Sequence, residues 1–234
     1  MQTLQGRVAC FGHINLAVTS ALKNKKAADV LARGRRVVQY FHKSTTAASA
    51  LKQKQRMLMP EAMQDKKLVQ DVPTRWNSAY DMLERLIEQS PAVHATILDP
   101  AFKLNAKNLY SFDDQELINS MLRFLRPFKD ATSTMSTESV PSLPALYPTY
   151  VKITQACTAC DSDSDSIKEM KQAAKENIDK RNVIKTPAIL ISSFLHPRTK
   201  HLKFISEEER SEVHETVKNE LVNLKNCVPQ NTQN

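Results

Sequence analysis

The chain has 234 residues, 41% of them hydrophobic, with 3 glycines, 11 prolines and a formal net charge of +8. That is enough apolar material for a folded core, which excludes wholesale disorder. So few glycines, with no G-x-x-x-x-G-K-[ST] and no G-x-G-x-x-G, set aside P-loop and Rossmann nucleotide enzymes.

The charge is concentrated. Twelve cations lie between Ala21 and Leu68, among them Arg33, Arg35, Arg36, Lys43, Lys52, Lys54 and Arg56. Only Asp29, Glu61 and Asp65 oppose them, a local excess of +9 that leaves the remainder close to neutral. Such a segment is what a phosphate-backbone partner requires, and it is equally what a solvated helix face looks like. No run of 18 apolar residues is present to span a membrane, and the first residues lack a signal-peptide apolar core. Four cysteines do not make a secreted disulfide framework, so a reducing compartment, cytosol or nucleus, is expected.

In chain order, Arg7 to Leu22 reads as a brief strand or turn and then a helix through Ile14, Leu16, Ala17 and Val18. Val30, Leu31, Val37, Val38 and Phe41 recur at helical spacing, with Arg33, Arg35 and Arg36 on other faces. Residues 44–46 (Ser-Thr-Thr) interrupt the pattern, and a second helix runs from Ala47 to Met59 before Pro60. After a polar linker, Ser78 with Asp81 three residues on predicts a capped helix that buries Tyr80, Leu83, Leu86 and Ile87. Ser90 and Pro91 are expected to close it. The next helix opens at Asp113 and is expected to stop before Pro127. A helix over about Tyr147 to Cys157 carries Pro148 in its first turn. The alternating Asp161–Ser166 stretch reads as an acidic loop, followed by a mostly solvated helix from Ile167 to Arg181. Pro187 to Leu195 is short and apolar, consistent with a buried strand or a short buried helix. Ser206 and Glu209 form a capping box for a last helix to about Leu224, and the tail from Val228 is polar and expected to fray.

Three blocks along this pattern carry a resemblance. Cys10, His13, Asn15 and Leu16 resemble the C-x-x-H-x-[LN]-N-L block of hAT-family transposases. Thr74, Arg75, Trp76, Asn77 and Ser78 are similar to that family's Thr-Arg-Trp-Asn-Ser block and its helix. The run from Ser193 to Phe204, with Pro197 and Arg198, is similar to the L-D-P-R-F-K block. Phe124 to Leu143, with its Leu-Arg-Pro-Phe and Thr-Met-Ser-Thr-Glu runs, adds a fourth matching region, so the resemblance covers nearly the whole chain in order. Its closest flavour is that of zinc finger BED domain-containing proteins, domesticated relatives of these transposases.

The resemblance implies a mainly α chain: the helical insertion domain of a ribonuclease-H-like hAT transposase, with one or two short strands from the core. Residues 1–20 would form the edge of that core, 21–185 the insertion, 186–226 the return toward the core, and 227–234 a frayed tail. It implies DDE strand transfer, in which three carboxylates hold two metal ions. Those carboxylates, the BED finger and the dimerisation region are expected to lie outside this chain, so no enzymatic activity and no cofactor are expected. The family's matching tryptophan is implicated in stacking on an unpaired base, a role open to Trp76. Helix anchoring is the preferred reading for so large a side chain.

Cys10 and His13 with Cys157 and Cys160 would make four zinc ligands only if two distant pairs met. They are read instead as a family motif element and ordinary helix residues. Asp161, Asp163 and Asp165 lack the glycine and terminal glutamate of a calcium loop. His196 and Thr199 depart from the family's aspartate and phenylalanine. The expected function is a nuclear, non-catalytic module that binds DNA largely non-specifically through Arg33, Arg35, Arg36, Lys43, Lys52, Lys54, Arg56, Arg75 and Trp76. The alternatives are a scaffold for protein partners or a decayed transposase fragment; oligomeric state is left open and no membrane association is expected.

Overall fold

A computed structural model describes residues 12–102, 112–135, 142–180 and 186–227. Among the described residues every regular element is helical, and no strand is present. The mainly α expectation holds, and its one or two strands do not appear among the described residues. The segment 187–195, left between strand and helix, is helical because Pro187 opens the first turn and the Thr186 side chain caps the Ile189 N–H. The segment 7–11, read as strand or turn, lies outside the described residues.

The first helix, α1 (Gly12–Ala21), turns into α2 (Lys25–Lys43) at Asn24. The Asn24 amide oxygen accepts the Ala27 N–H at 3.2 Å, and its NH2 reaches Glu169 at 2.6 Å. Ser44 alone separates α2 from α3 (Thr45–Leu58), rather than a three-residue break. Its backbone N–H closes α2 on the Tyr40 carbonyl, and its hydroxyl accepts the Ala47 N–H at the start of α3. The linker that follows contains one 3-10 turn, Glu61–Met63, pinned from inside by two glutamines. Gln55 donates to the Lys66 carbonyl and to Gln89, and Gln89 donates to the Met63 carbonyl.

Further helix boundaries differ from the expectations. In α4 (Trp76–Glu88), Arg75 and not Ser78 holds the N-cap position. The Ser78 hydroxyl is engaged by the Arg75 carbonyl at 2.6 Å and the Val72 N–H at 2.8 Å, so it shapes the entry loop. Ser90 and Pro91 open α5 (Ser90–Ile97) instead of closing α4, since proline suits a first helical turn. Pro127 lies inside α6 (Phe112–Met135). An interior proline costs about 3 kcal/mol; here Phe124 and Phe128 flank it edge to face, ring centres 5.4 Å apart, both buried. Their burial outweighs the lost hydrogen bond.

The remaining elements are α7 (Ser142–Ala156), α8 (Asp165–Asp179), α9 and α10 (Glu207–Cys227). α7 starts five residues before the expected Tyr147 and carries Pro148 in its middle. α8 is not mostly solvated. It buries Ile167, Met170, Ala174 and Ile178, a stripe at helical spacing that packs on α1.

One apolar core runs from Ala17 to Ile178 and joins α1 to α8, with Met82, Leu83, Leu86, Met121 and Phe128 fully enclosed. At the crossing of α2 and α4, Gly34 permits a close approach: a Cβ there would lie 3.1 Å from Leu86 Cδ1. A second, smaller cluster holds α9 and α10 to α7 through Leu190, Leu202 and Val213. Leu202 is fully buried although its φ is 47°. That conformation costs a leucine about 1–2 kcal/mol, which the burial of a leucine side chain, roughly 1.5–3 kcal/mol, can offset. Among the described residues no helix is long and apolar enough to cross a membrane.

Candidate nucleic-acid interface

The +9 segment does not present its charge as a block. Six of its twelve cations are matched in space to carboxylates, most of them remote in sequence. Arg33 grips Asp114 of α6 with two bonds, Nε to Oδ2 at 3.0 Å and Nη2 to Oδ1 at 2.5 Å. Arg35 holds Asp71, whose side chain is only 1% exposed, at 2.7–3.0 Å. Such forked, partly desolvated pairs fix the α2 side chains more firmly than a lysine would. Lys52 and Arg56 share Asp65 at 3.4 and 3.3 Å, and Lys54 faces Asp99 at 3.7 Å. Lys66 pairs with Glu88, which Arg85 also holds. Arg33, Arg35, Lys52, Lys54 and Arg56, five of the seven cations in this segment picked out as DNA contacts, are thus engaged by the protein itself.

The other six, Lys23, Lys25, Lys26, Arg36, Lys43 and Lys67, are exposed and make no ion pair among the described residues. Three of these share a line on α2. At 100° per residue, positions 25, 36 and 43 fall within about 20° of one another around the axis, over a length of roughly 27 Å. Between them on the exposed side lie Ala32, Gln39 and one carboxylate, Asp29. The buried face of the same helix carries Ala27, Val30, Leu31, Gly34, Val37, Val38 and Phe41, so the core holds this basic line outward. A screened line of cations on one rigid helix can meet successive phosphates without reading bases.

Trp76 is not part of that surface. It is 8% exposed, and its indole N–H donates to Asn15 Oδ1 at 2.8 Å, tying the start of α4 to α1. Its ring has no free face on which to stack an unpaired base. Arg75, immediately before it, is exposed and makes no ion pair among the described residues. Cys10 lies outside the described residues, and His13 sits in the first turn of α1. Cys157 is buried, which pushes its thiol up to about 12, whereas Cys160 three residues on is exposed. Among the described residues no three His, Cys, Asp or Glu side chains converge as metal ligands. In the acidic loop, Asp163 accepts the Cys160 N–H at 2.7 Å and the Lys171 ammonium at 2.6 Å, so it ties the loop to α8. Burial alone would raise its carboxyl, but these two donors bring it below its ordinary value.

His196 explains its own departure from the family pattern. Its Nδ1 accepts the Arg198 N–H at 3.3 Å, the bond an aspartate makes two residues ahead in an Asx turn. The Thr199 hydroxyl closes the same turn on the Ser193 carbonyl at 2.7 Å. A hydrogen-bond acceptor, not a charge, is what the backbone requires here.

Comparison with known proteins adds family and relative. The family described as the ZBED1 RNase-like helical domain matches residues 8–124. Human zinc finger BED domain-containing protein 4 is 35% identical over 130 residues, which is 55% of this chain and 10% of that protein. The chain thus spans about a tenth of the curated relative it matches.

Proposed function

This chain belongs to the ZBED1 RNase-like helical domain family, and from that premise we propose that it is a non-catalytic, transposase-derived module acting in the nucleus. It binds the DNA backbone, largely without sequence preference, through the solvent face of α2. The carrying observation is the exposed line Lys25, Arg36 and Lys43, left free when half the basic segment is neutralised internally. Lys23, Lys26 and Lys67 extend the positive field, and Arg75 adds to it from the loop before α4. In this reading 21–185 is the insertion, flanked by core edges at 1–20 and 186–226.

The test is fluorescence anisotropy of the full chain with a generic DNA duplex, from 50 to 200 mM salt. Three or four phosphate contacts predict an affinity loss on the order of 50- to 150-fold across that range. Reversing Lys25, Arg36 and Lys43 together to glutamate should abolish binding, and Asp29→Asn should strengthen it. Lys52→Glu with Arg56→Glu should matter less. A triple variant that binds like the parent would sink the proposal. No binding at low salt would assign the surface to an acidic protein partner.

A further inference from the structure

A second basic site lies on the other cluster, where α9, the 196–205 turn and α10 line an open surface cavity of about 590 Å3. Its lining joins two aromatic rings, Phe194 and His214, to Lys200, His201, Lys203 and Arg210, with Glu207 the single carboxylate. The rings lie 4.7 Å apart at 49°, forming a tilted apolar floor. Lys200, His201 and Lys203 are exposed around it and make no ion pair among the described residues. They are held there by Leu202, buried between them at a positive φ, so the strained turn throws its polar neighbours outward.

The carboxylate of the lining is itself paired. Arg210 Nη1 pairs with Glu207 at 3.1 Å, so the one carboxylate is offset and the free lysines set the sign of the rim. We infer that this cavity takes an unpaired nucleotide of single-stranded nucleic acid. Its base lies against Phe194 and His214, and its phosphate reaches the exposed Lys200 and Lys203. Rings beside cations are the means by which single strands are held, because every base offers a π face. A duplex offers no free base to this cavity. The site therefore stands apart from the α2 surface and does not depend on it.

The experiment is anisotropy of the full chain with fluorescent oligothymidylate, in excess unlabelled duplex that occupies α2. Lys200→Glu with Lys203→Glu should weaken single-strand binding at least ten-fold and leave duplex affinity within two-fold. The Lys25, Arg36 and Lys43 triple variant should do the reverse. An abasic oligonucleotide of equal length should bind weaker by on the order of ten-fold. Phe194 also packs in the small core, so His214→Ala is the companion to Phe194→Ala, with the same direction of loss. Single-strand affinity untouched by the lysine pair, or lost only with the α2 triple variant, overturns the inference. So does an abasic strand that binds like the parent.

Discussion

α5 is eight residues long and buries five of them; α10 is twenty-one residues long and, among its described side chains, Val213 alone joins a buried core cluster. Helix length is therefore a poor guide to where this molecule is held together. The region from α1 to α8 shares one core that includes Phe128, Met121 and Leu86, while α9 and α10 rest on a handful of side chains. Leu221, Val222 and Leu224 are exposed on α10, so the 221–224 stretch adds little packing. Cooperative stability comes from enclosed apolar surface, and the two regions should open at different free energies.

The sharpest way to break that contrast is Phe128→Ala. Removing a fully buried ring beside Pro127 should cost about 3–5 kcal/mol and lower the main thermal transition as a unit. A loss below about 1 kcal/mol would mean that the large core is not the cooperative centre it looks to be. Leu202→Ala should cost about 2 kcal/mol, the lower end for such a truncation. Because its cluster is small, the loss should show as faster amide exchange across 187–213 with little movement of the main transition. Equal loss of protection in α2 and α4 would merge the two regions into one.

The smallest effect concerns Cys157. Its thiol is raised from an ordinary value of 9.0 to about 12 by burial, so the folded form keeps its proton where the unfolded form gives it up. Its contribution is fully present below about pH 9 and drains away as pH rises toward 12, so unfolding becomes easier in that window. At pH 9 in the native state, alkylation followed by peptide mapping should modify exposed Cys160 and spare Cys157. Equal labelling of both would show that α7 and α8 open on the labelling timescale.

Much of this was legible in the residues. The α2 stripe of Val30, Leu31, Val37, Val38 and Phe41 marked a buried helical face, and all five are buried. Ser206 and Glu209 form the reciprocal cap expected of them, at 3.3 and 3.1 Å. The errors cluster at prolines and serines, whose local signals have two outcomes. Pro91 can end one helix or start the next, and Pro127 stops a helix unless flanking aromatic burial outweighs its cost. α8 differs from the mostly solvated helix its many lysines and glutamates suggest, because Ile167, Met170, Ala174 and Ile178 line the opposite face.

The candidate surface divides along the same line. Which residues are cationic, and that a helix carries Lys25, Arg36 and Lys43 on one side, follows from composition and a 3.6-residue period. Which cations stay free does not, because the carboxylates that neutralise Arg33, Arg35 and Lys54 come from positions 114, 71 and 99. Likewise, that Trp76 is large and sits at a helix start is local information. Its enclosure against Asn15, 61 positions away, is a consequence of how α1 and α4 meet. By itself the sequence determined helix content, the apolar faces and the family, since each depends on neighbours a few positions apart. Only tertiary packing decided the charge pairing and the accessible basic line, since a salt bridge or a buried ring depends on distances between elements that periodicity cannot supply.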